Sequence, residues 1–289
     1  MRRSLIAVVP AVALLLAACG SSTSPSSSAS GSPTTSASAT CTPASLQTLT
    51  AGKFTVATGN PAYSPWVIDD KPESGKGFES AVTYAVAKKL GYTDADVVWM
   101  RTGFDEAIAP GPKKFDVNIQ QFTISADRKK AVDFSSGYYD LTQAVVTYKG
   151  SPIEKATSLA ALKDAKLGAA VGTTSLDAIT ASIQPTTAPK VYNNNDDAVA
   201  ALKAKQIDGL VVDLPTAFYI AFGELDNGVL IGQLPNSADQ KEQLGFLLAK
   251  GSPLTQCVTQ AVDALRADGT LAKLQDQWLS ASAGAPVLS

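Results

Sequence analysis

The chain has 289 residues, with 24 Lys and Arg against 26 Asp and Glu, and it contains no histidine. Near-balanced charge gives no reason to expect nucleic acid or another polyanion as partner. Without histidine, His-based triads, His general bases and most zinc sites are excluded together, and neither a cofactor nor a metal centre is expected.

Residues 1–18 read as a signal peptide: Met1-Arg2-Arg3 is basic, and the apolar run 6–16 is too short to span a membrane. The run Leu16-Ala17-Ala18-Cys19 resembles a bacterial lipobox, which implies cleavage before Cys19 and lipidation of that cysteine. Residues 19–40 are almost wholly Ser, Thr, Ala, Gly and Pro and have no apolar period. Such a segment buries no core and acts as a tether with a reach of roughly 25 Å. From residue 41 the chain is long enough for two modest lobes but not for several independent domains. With Cys19 lipidated, Cys41 and Cys257 remain as a pair in an oxidising compartment, which favours a disulfide over two free thiols.

Strands and helices alternate through the rest. A strand is expected at 54–57, then a helix at 78–90, whose Phe78, Val82, Val86 and Leu90 recur every four residues before the stop at Gly91. A strand at 97–100, a short helix at 104–109 and a strand at 115–119 follow. A helix starting near Ala126 would place Arg128, Lys129 and Lys130 in its first turn, where the macrodipole is already positive, so Arg128 needs an anion to meet. The stretch 141–148 leads into a second series: strand 167–171, helix 175–183, a short strand from Val191, helix 196–205, strand 207–212 and a helix from Pro215. A strand at 244–249 precedes helices at 254–267 and 271–279, which Asp268-Gly269 separates. This alternation predicts an α/β class with mainly parallel sheets.

The two series share a pattern. "KKFDVNIQQ" (113–121) and "AKQIDGLVVD" (204–213) place Phe115-Asp116 against Ile207-Asp208 and Gln121 against Asp213. Each strand then presents a polar side chain at its carboxyl end, where open α/β sheets hold ligands. On these residues alone, two unrelated βα units with polar loop starts would look the same.

"GKGFESAVTYAVAKKLG" (75–91), "FTISADRKKAVDFSSGYY" (122–139), "VGTT" (171–174), "IDGLVVDLPTA" (207–217) and "LRADGTLAKLQDQW" (265–278) occur in this order. Together they resemble the polar amino-acid class of extracytoplasmic solute-binding proteins, family 3, which feed ABC importers. "DLPTAFYIA" (213–221) is most similar to an actinobacterial lipoprotein branch. The resemblance implies a type II periplasmic-binding-protein, or Venus-flytrap, fold with two mainly parallel sheets joined by a two-stranded hinge. Lobe one would be 41–140 plus 244–289, and lobe two 141–243. It also implies a monomer that captures a free amino acid, docks on an ABC permease, and is lipid-anchored through Cys19 to the outer face of the cytoplasmic membrane.

By the same resemblance, Arg128 grips the ligand α-carboxylate, a task that suits a planar guanidinium. Thr123 adds a contact to that group, and Gly172, Thr173 and Thr174 offer N–H groups at a helix start. Asp213 receives the α-ammonium. Asn60, Tyr63 and Trp66 follow the first strand at positions that face the ligand, and Tyr63 and Phe104 match an aromatic pair that sandwiches its side chain; either is also consistent with core packing. Asn60 stands where the family pattern has aspartate, which argues against a cationic ligand. Gln120 and Gln121 offer donors and acceptors. The expected ligand is a neutral polar amino acid, ahead of an acidic or modified one. A dehydratase similar to cyclohexadienyl dehydratase is the enzymatic alternative, with Glu79 and Asp213 as its only candidate carboxylates; a sensing module for a receptor kinase is the third. No catalytic residue is assigned, and Glu79 is expected to satisfy the start of its own helix.

Overall fold

The computed structural model describes residues 41–235, 242–282 and 284–289. The expected signal peptide, Cys19 and the tether at 19–40 lie outside them. Two five-stranded sheets carry the chain, one in each lobe.

In the first lobe, β1 (Phe54–Thr58) pairs in parallel with β2 (Val97–Arg101) and β3 (Val117–Asn118). Helices α1 (Phe78–Lys89) and α2 (Phe104–Ile108) make the connections, and a single turn, α3 (Arg128–Ala131), leads into β4 (Val132–Leu141). After Thr142 the chain enters the second sheet as β5 (Gln143–Tyr148). There β6 (Leu167–Ala170), α4 (Thr174–Ala178), β7 (Lys190–Tyr192), α5 (Asn195–Lys203), β8 (Gly209–Asp213), α6 (Leu214–Tyr219) and β9 (Gly228–Gln233) follow. The chain returns to the first sheet as β10 (Glu242–Ala249), and α7 (Thr255–Ala267) and α8 (Thr270–Leu279) pack on α1.

The sheet orders are β2-β1-β3-β10-β4 and β7-β6-β8-β5-β9. Each sheet is therefore mixed rather than mainly parallel: β10 runs antiparallel to β3 and β4, and β5 runs antiparallel to β8 and β9. The reason is connectivity. β4 runs on through Thr142 into β5, and the strand that enters each sheet from the other, β5 or β10, lies antiparallel to both of its neighbours. Sequence periodicity missed β4 and β9, where Ser135-Ser136-Gly137 and Gly232 interrupt the apolar alternation. It also overestimated α3. With one turn only, the macrodipole argument against its three cations has little force, and Lys130 simply pairs with Asp127 at the surface, 2.6 Å away.

The repeated motif is structural. The Asp116 carboxylate accepts from Thr55 N at 2.7 Å, while Asp116 N donates to Thr55 O at 2.9 Å. Asp208 makes the same pair of bonds with Lys166, at 2.8 and 2.7 Å. The register agrees as well: Val56 faces Val117 as Leu167 faces Gly209. Each lobe thus pins the start of its third strand in sheet order to the start of its neighbour by one aspartate, which fixes how far the two strand ends project.

Cys41 and Cys257 form a disulfide with Cα atoms 5.5 Å apart and a sequence separation of 216. It joins the start of the described chain to α7, where Cys257 is buried in the first-lobe core. In the chain-entropy model a loop of this length corresponds to about 5 kcal/mol as an upper figure. At the other end, residues 284–289 do not stay with the first lobe as expected. Leu288 is buried in the core of the second lobe, and Val287 bridges to Gln233 of β9.

Candidate ligand-binding cleft

The carboxyl ends of β1, β2 and β3 face those of β6, β7 and β8 across a cavity of about 360 Å³. Its walls are the loops 58–63 and 102–106, Gln120, Gln121, Thr123 and Arg128 on the first lobe. On the second they are 170–171, 173–175 and 193–195, with Val212, Asp213 and Thr216. This is the strand edge at which α/β sheets hold ligands. Arg128, Asp213, Thr123, Thr173, Thr174, Asn60, Tyr63, Phe104, Gln120 and Gln121 all line it.

Two expected residues do not line the cavity. Gly172, at φ +71°, sits just behind the wall and presents its carbonyl to Arg128. Trp66 is fully buried in the first-lobe core, edge-on to Tyr139 with ring centres 5.6 Å apart. Its indole N–H donates to Thr216 Oγ1 of α6 at 2.8 Å, so it joins the lobes behind the cleft. The loop from Asn60 folds back so that the Pro65 and Trp66 carbonyls accept from the first amides of α1. That turn carries the indole inward.

Arg128 is held from three directions. Its Nη1 donates to Thr123 O at 2.8 Å and its Nη2 to Gly172 O, on the other lobe, at 2.9 Å. The guanidinium carbon lies 5.5 Å from the centre of the Phe104 ring, which stacks on Phe122. Burial pulls its pKa down, while the carboxylates of Asp213, Asp177 and Glu242 hold it up. It remains a cation throughout. Thr123 Oγ1 and Thr174 Oγ1 meet 3.1 Å apart from opposite lobes. Thr173 accepts from Leu176 N and so caps α4.

Asp213 closes β8 and precedes Leu214-Pro215, where proline suits the first helical turn. Its side chain makes no cap to that helix; it accepts instead from Gln143 Nε2 at 3.0 Å. Burial first, then the neighbouring Glu242 and Glu79 carboxylates, raise its pKa to about 7 against the lowering effects of Gln143 and Arg128. Gln143, which sequence reasoning passed over, organises this floor. Ser175 Oγ donates to its Oε1 at 2.7 Å, and that fixes Nε2 toward Asp213, Glu242 (3.2 Å) and Thr174 (3.3 Å). Its only sequence signal is a buried polar residue opening an apolar strand.

Glu79 is fully buried beneath the cleft and does not line it. It leaves the start of α1 uncapped and accepts from Gln121 N at 2.8 Å, from the Gln121 side chain and from the Tyr138 hydroxyl. Burial raises its pKa to about 7 in spite of those three donors. The cavity wall also holds Asp105, Glu106 and the run Asn193-Asn194-Asn195, none of which sequence reasoning selected. Arg128 is the sole cation among the described lining residues. The poles of the site are therefore Arg128 on one lobe and Asp213 on the other, an arrangement that suits a zwitterion.

Residues 54–281 match the model of the bacterial extracellular solute-binding proteins, family 3. The chain belongs to this family. Relatives agree with the assignment: an L-arginine-binding protein of Pseudomonas aeruginosa is 28% identical over 243 residues, covering 82% of this chain and 92% of the relative. A solved ancestral arginine-binding protein bound to glutamine superposes with a TM-score of 0.65 at 30% identity, covering 79% of this chain and 98% of that one. An ancestral amino acid-binding protein described as a precursor of cyclohexadienyl dehydratase superposes with a TM-score of 0.63 at 30% identity, over 78% of this chain and 95% of that one. The family's members are solute-binding proteins, and the two-lobe α/β fold described above is that of its solved members.

Proposed function

We propose that this protein captures a free amino acid outside the cytoplasmic membrane and delivers it to an ABC import permease, as a lipoprotein anchored through Cys19. The observation that carries the reading is the placement of Arg128 and Asp213 on opposite walls of one cavity, with the hydroxyls of Thr123 and Thr174 on the same two walls. Arg128 receives the α-carboxylate and Asp213 the α-ammonium, so a ligand that touches both favours the closed lobes. No described helix is long and apolar enough to cross a membrane.

The lining also speaks to ligand class. Beyond Arg128 and Asp213 the wall contributes carboxylates at Asp105 and Glu106 and no further cation, which disfavours an acidic side chain. Gln120 Oε1 is a buried acceptor without a partner, and Asn60 and Asn193 to Asn195 surround the same space with amides. A neutral polar side chain that donates N–H groups matches these acceptors. Glu79, sealed beneath Gln121, has no access to the cavity as a general acid or base, which supports binding over dehydration.

The test is mass spectrometry of small molecules released on denaturing the purified protein, followed by calorimetric titration with all common amino acids. Tight binding of a neutral polar amino acid supports the reading. Binding of acidic amino acids alone would overturn the ligand class, preference for arginine would shift selectivity to Asp105 and Glu106, and no amino-acid binding at all would overturn the function.

A further inference from the structure

Residues 284–289 lie beyond the stretch 54–281 that the family model matches. They leave α8, which packs on α1 and α7 of the first lobe, and lie along β9 of the second. Gln233 N donates to Pro286 O at 2.7 Å and Leu288 N donates back to Gln233 O at 2.9 Å. Leu159 N donates to Ser289 O at 3.0 Å. Leu288 is 2% exposed, in the apolar core that includes Ile231 and Leu234. The berth depends on Gly232, where an added Cβ would stand 2.6 Å from Pro286 O and 3.2 Å from the Leu288 side chain.

Gln233 connects this berth to the passage between lobes. Its Nε2 donates to Ala285 O at 2.7 Å, and its Oε1 accepts from Thr142 Oγ1 at 2.9 Å. Thr142 is the one residue between β4 of the first sheet and β5 of the second, and its carbonyl accepts from Leu214 N, next to Asp213, at 2.9 Å. Hinge bending at Thr142 therefore pulls on the same side chain that holds the segment. We infer that residues 284–289 are a strap, a third connection between the lobes, which restrains the hinge and raises the affinity of the cleft for its ligand.

The physical argument runs through populations. The strap is seated in the arrangement in which Arg128 meets Gly172 and Trp66 meets Thr216 across the lobes. Opening the lobes must strain the Thr142–Gln233–Ala285 chain or draw Leu288 out of its core. Either cost favours the arrangement with the lobes in contact, and apparent affinity scales with the fraction of molecules in it. The effect adds to the ligand contacts and needs none of the cleft residues to change.

Two variants test this: Leu288→Asp, and removal of residues 285–289. Dyes placed through noncanonical residues at exposed Lys88 and Lys163, one on each lobe, report the inter-lobe distance by single-molecule energy transfer without ligand. Calorimetry with L-glutamine and L-arginine reports affinity. The strap predicts a broader distribution shifted to longer distance in both variants, and about a tenfold higher Kd for whichever amino acid the wild type binds, with unchanged far-UV circular dichroism. Distances and Kd equal to wild type in a folded variant would overturn it. So would unfolding of both variants, because the segment would then be part of the second lobe's fold rather than a restraint on its motion. If the wild type binds neither amino acid, the proposed function is in question, while the ligand-free distance still decides the strap.

Discussion

Replacing Arg128 by alanine removes the positive pole of the cleft and two further things with it. The Thr123 carbonyl loses a donor, and so does the Gly172 carbonyl on the opposite lobe. Removing one partner of a desolvated charge pair costs about 2–5 kcal/mol, which at 1.4 kcal/mol per decade is a loss of roughly 30-fold to several thousand-fold in affinity. Part of that loss is unrelated to the ligand: the bond to Gly172 O favours the closed lobes, at about 1 kcal/mol for a net hydrogen bond. Arg128→Lys separates the contributions. An ammonium still supplies charge, but it lacks the five-donor fork that serves two carbonyls and a carboxylate together, so it restores only part of the affinity. Calorimetric titration of both variants, with thermal melting to confirm folding, is the measurement. If folded Arg128→Ala binds its amino acid within a fewfold of wild type, Arg128 is an inter-lobe brace and not the carboxylate site.

Asp213 receives an ammonium only as a carboxylate, and its pKa is raised to about 7 before ligand arrives. Affinity should be full at pH 8 and fall by about tenfold per unit as pH drops below 7, until the lower pKa of the complex is reached; Asp213→Asn should bind weakly with a flat profile. Glu79, raised to about 7 by burial, makes the opposite kind of contribution, to stability. Its protonated form favours the fold, so that contribution is fully present below the ordinary carboxylate pKa and is lost as pH rises through 7, by roughly 3 kcal/mol. Urea denaturation at pH 5 and pH 8 should show a gap that Glu79→Gln narrows; a gap of unchanged size in the variant would assign the pH dependence elsewhere.

What the sequence makes legible is whatever repeats or stands out locally. The matched Phe115-Asp116 and Ile207-Asp208 are visible because both lobes use the aspartate for one structural task, pinning two strand starts. Arg128 is legible through its place in the block 122–139 and the order of the motifs, since the one-turn α3 leaves the dipole argument little force. The antiparallel edges were not legible, since β4, β5, β9 and β10 get their direction from passing between sheets, which no window of residues records. Gln143 was invisible for a related reason. Its partners Ser175, Asp213 and Glu242 come from α4, β8 and β10, and only the folded sheet edge assembles them. Trp66 erred the other way: an aromatic beside a ligand loop looks like a wall of the site, but the direction of its side chain is set by how the loop meets α1.

The repeated strand-edge motif accounts for the polarity of the site. Gln121 and Asp213 occupy equivalent places at the ends of equivalent strands, yet they do different work. In the first lobe the strand end turns back, with Gln121 at φ +50°, so that its amide and backbone N–H satisfy the buried Glu79. A carboxylate at that position would face Glu79 directly, and two buried like charges in contact would have to share a proton. In the second lobe the strand end meets the neutral amide of Gln143, which donates to both Asp213 and Glu242, so an aspartate is accommodated there and faces the cavity with its pKa raised to about 7. The first lobe can then supply the cation, Arg128, from the short turn that follows. The same edge geometry thus yields a positive wall and a negative wall because Glu79 is hydrogen-bonded directly to the strand end in one lobe, whereas in the other the amide of Gln143 is shared by Asp213 and Glu242.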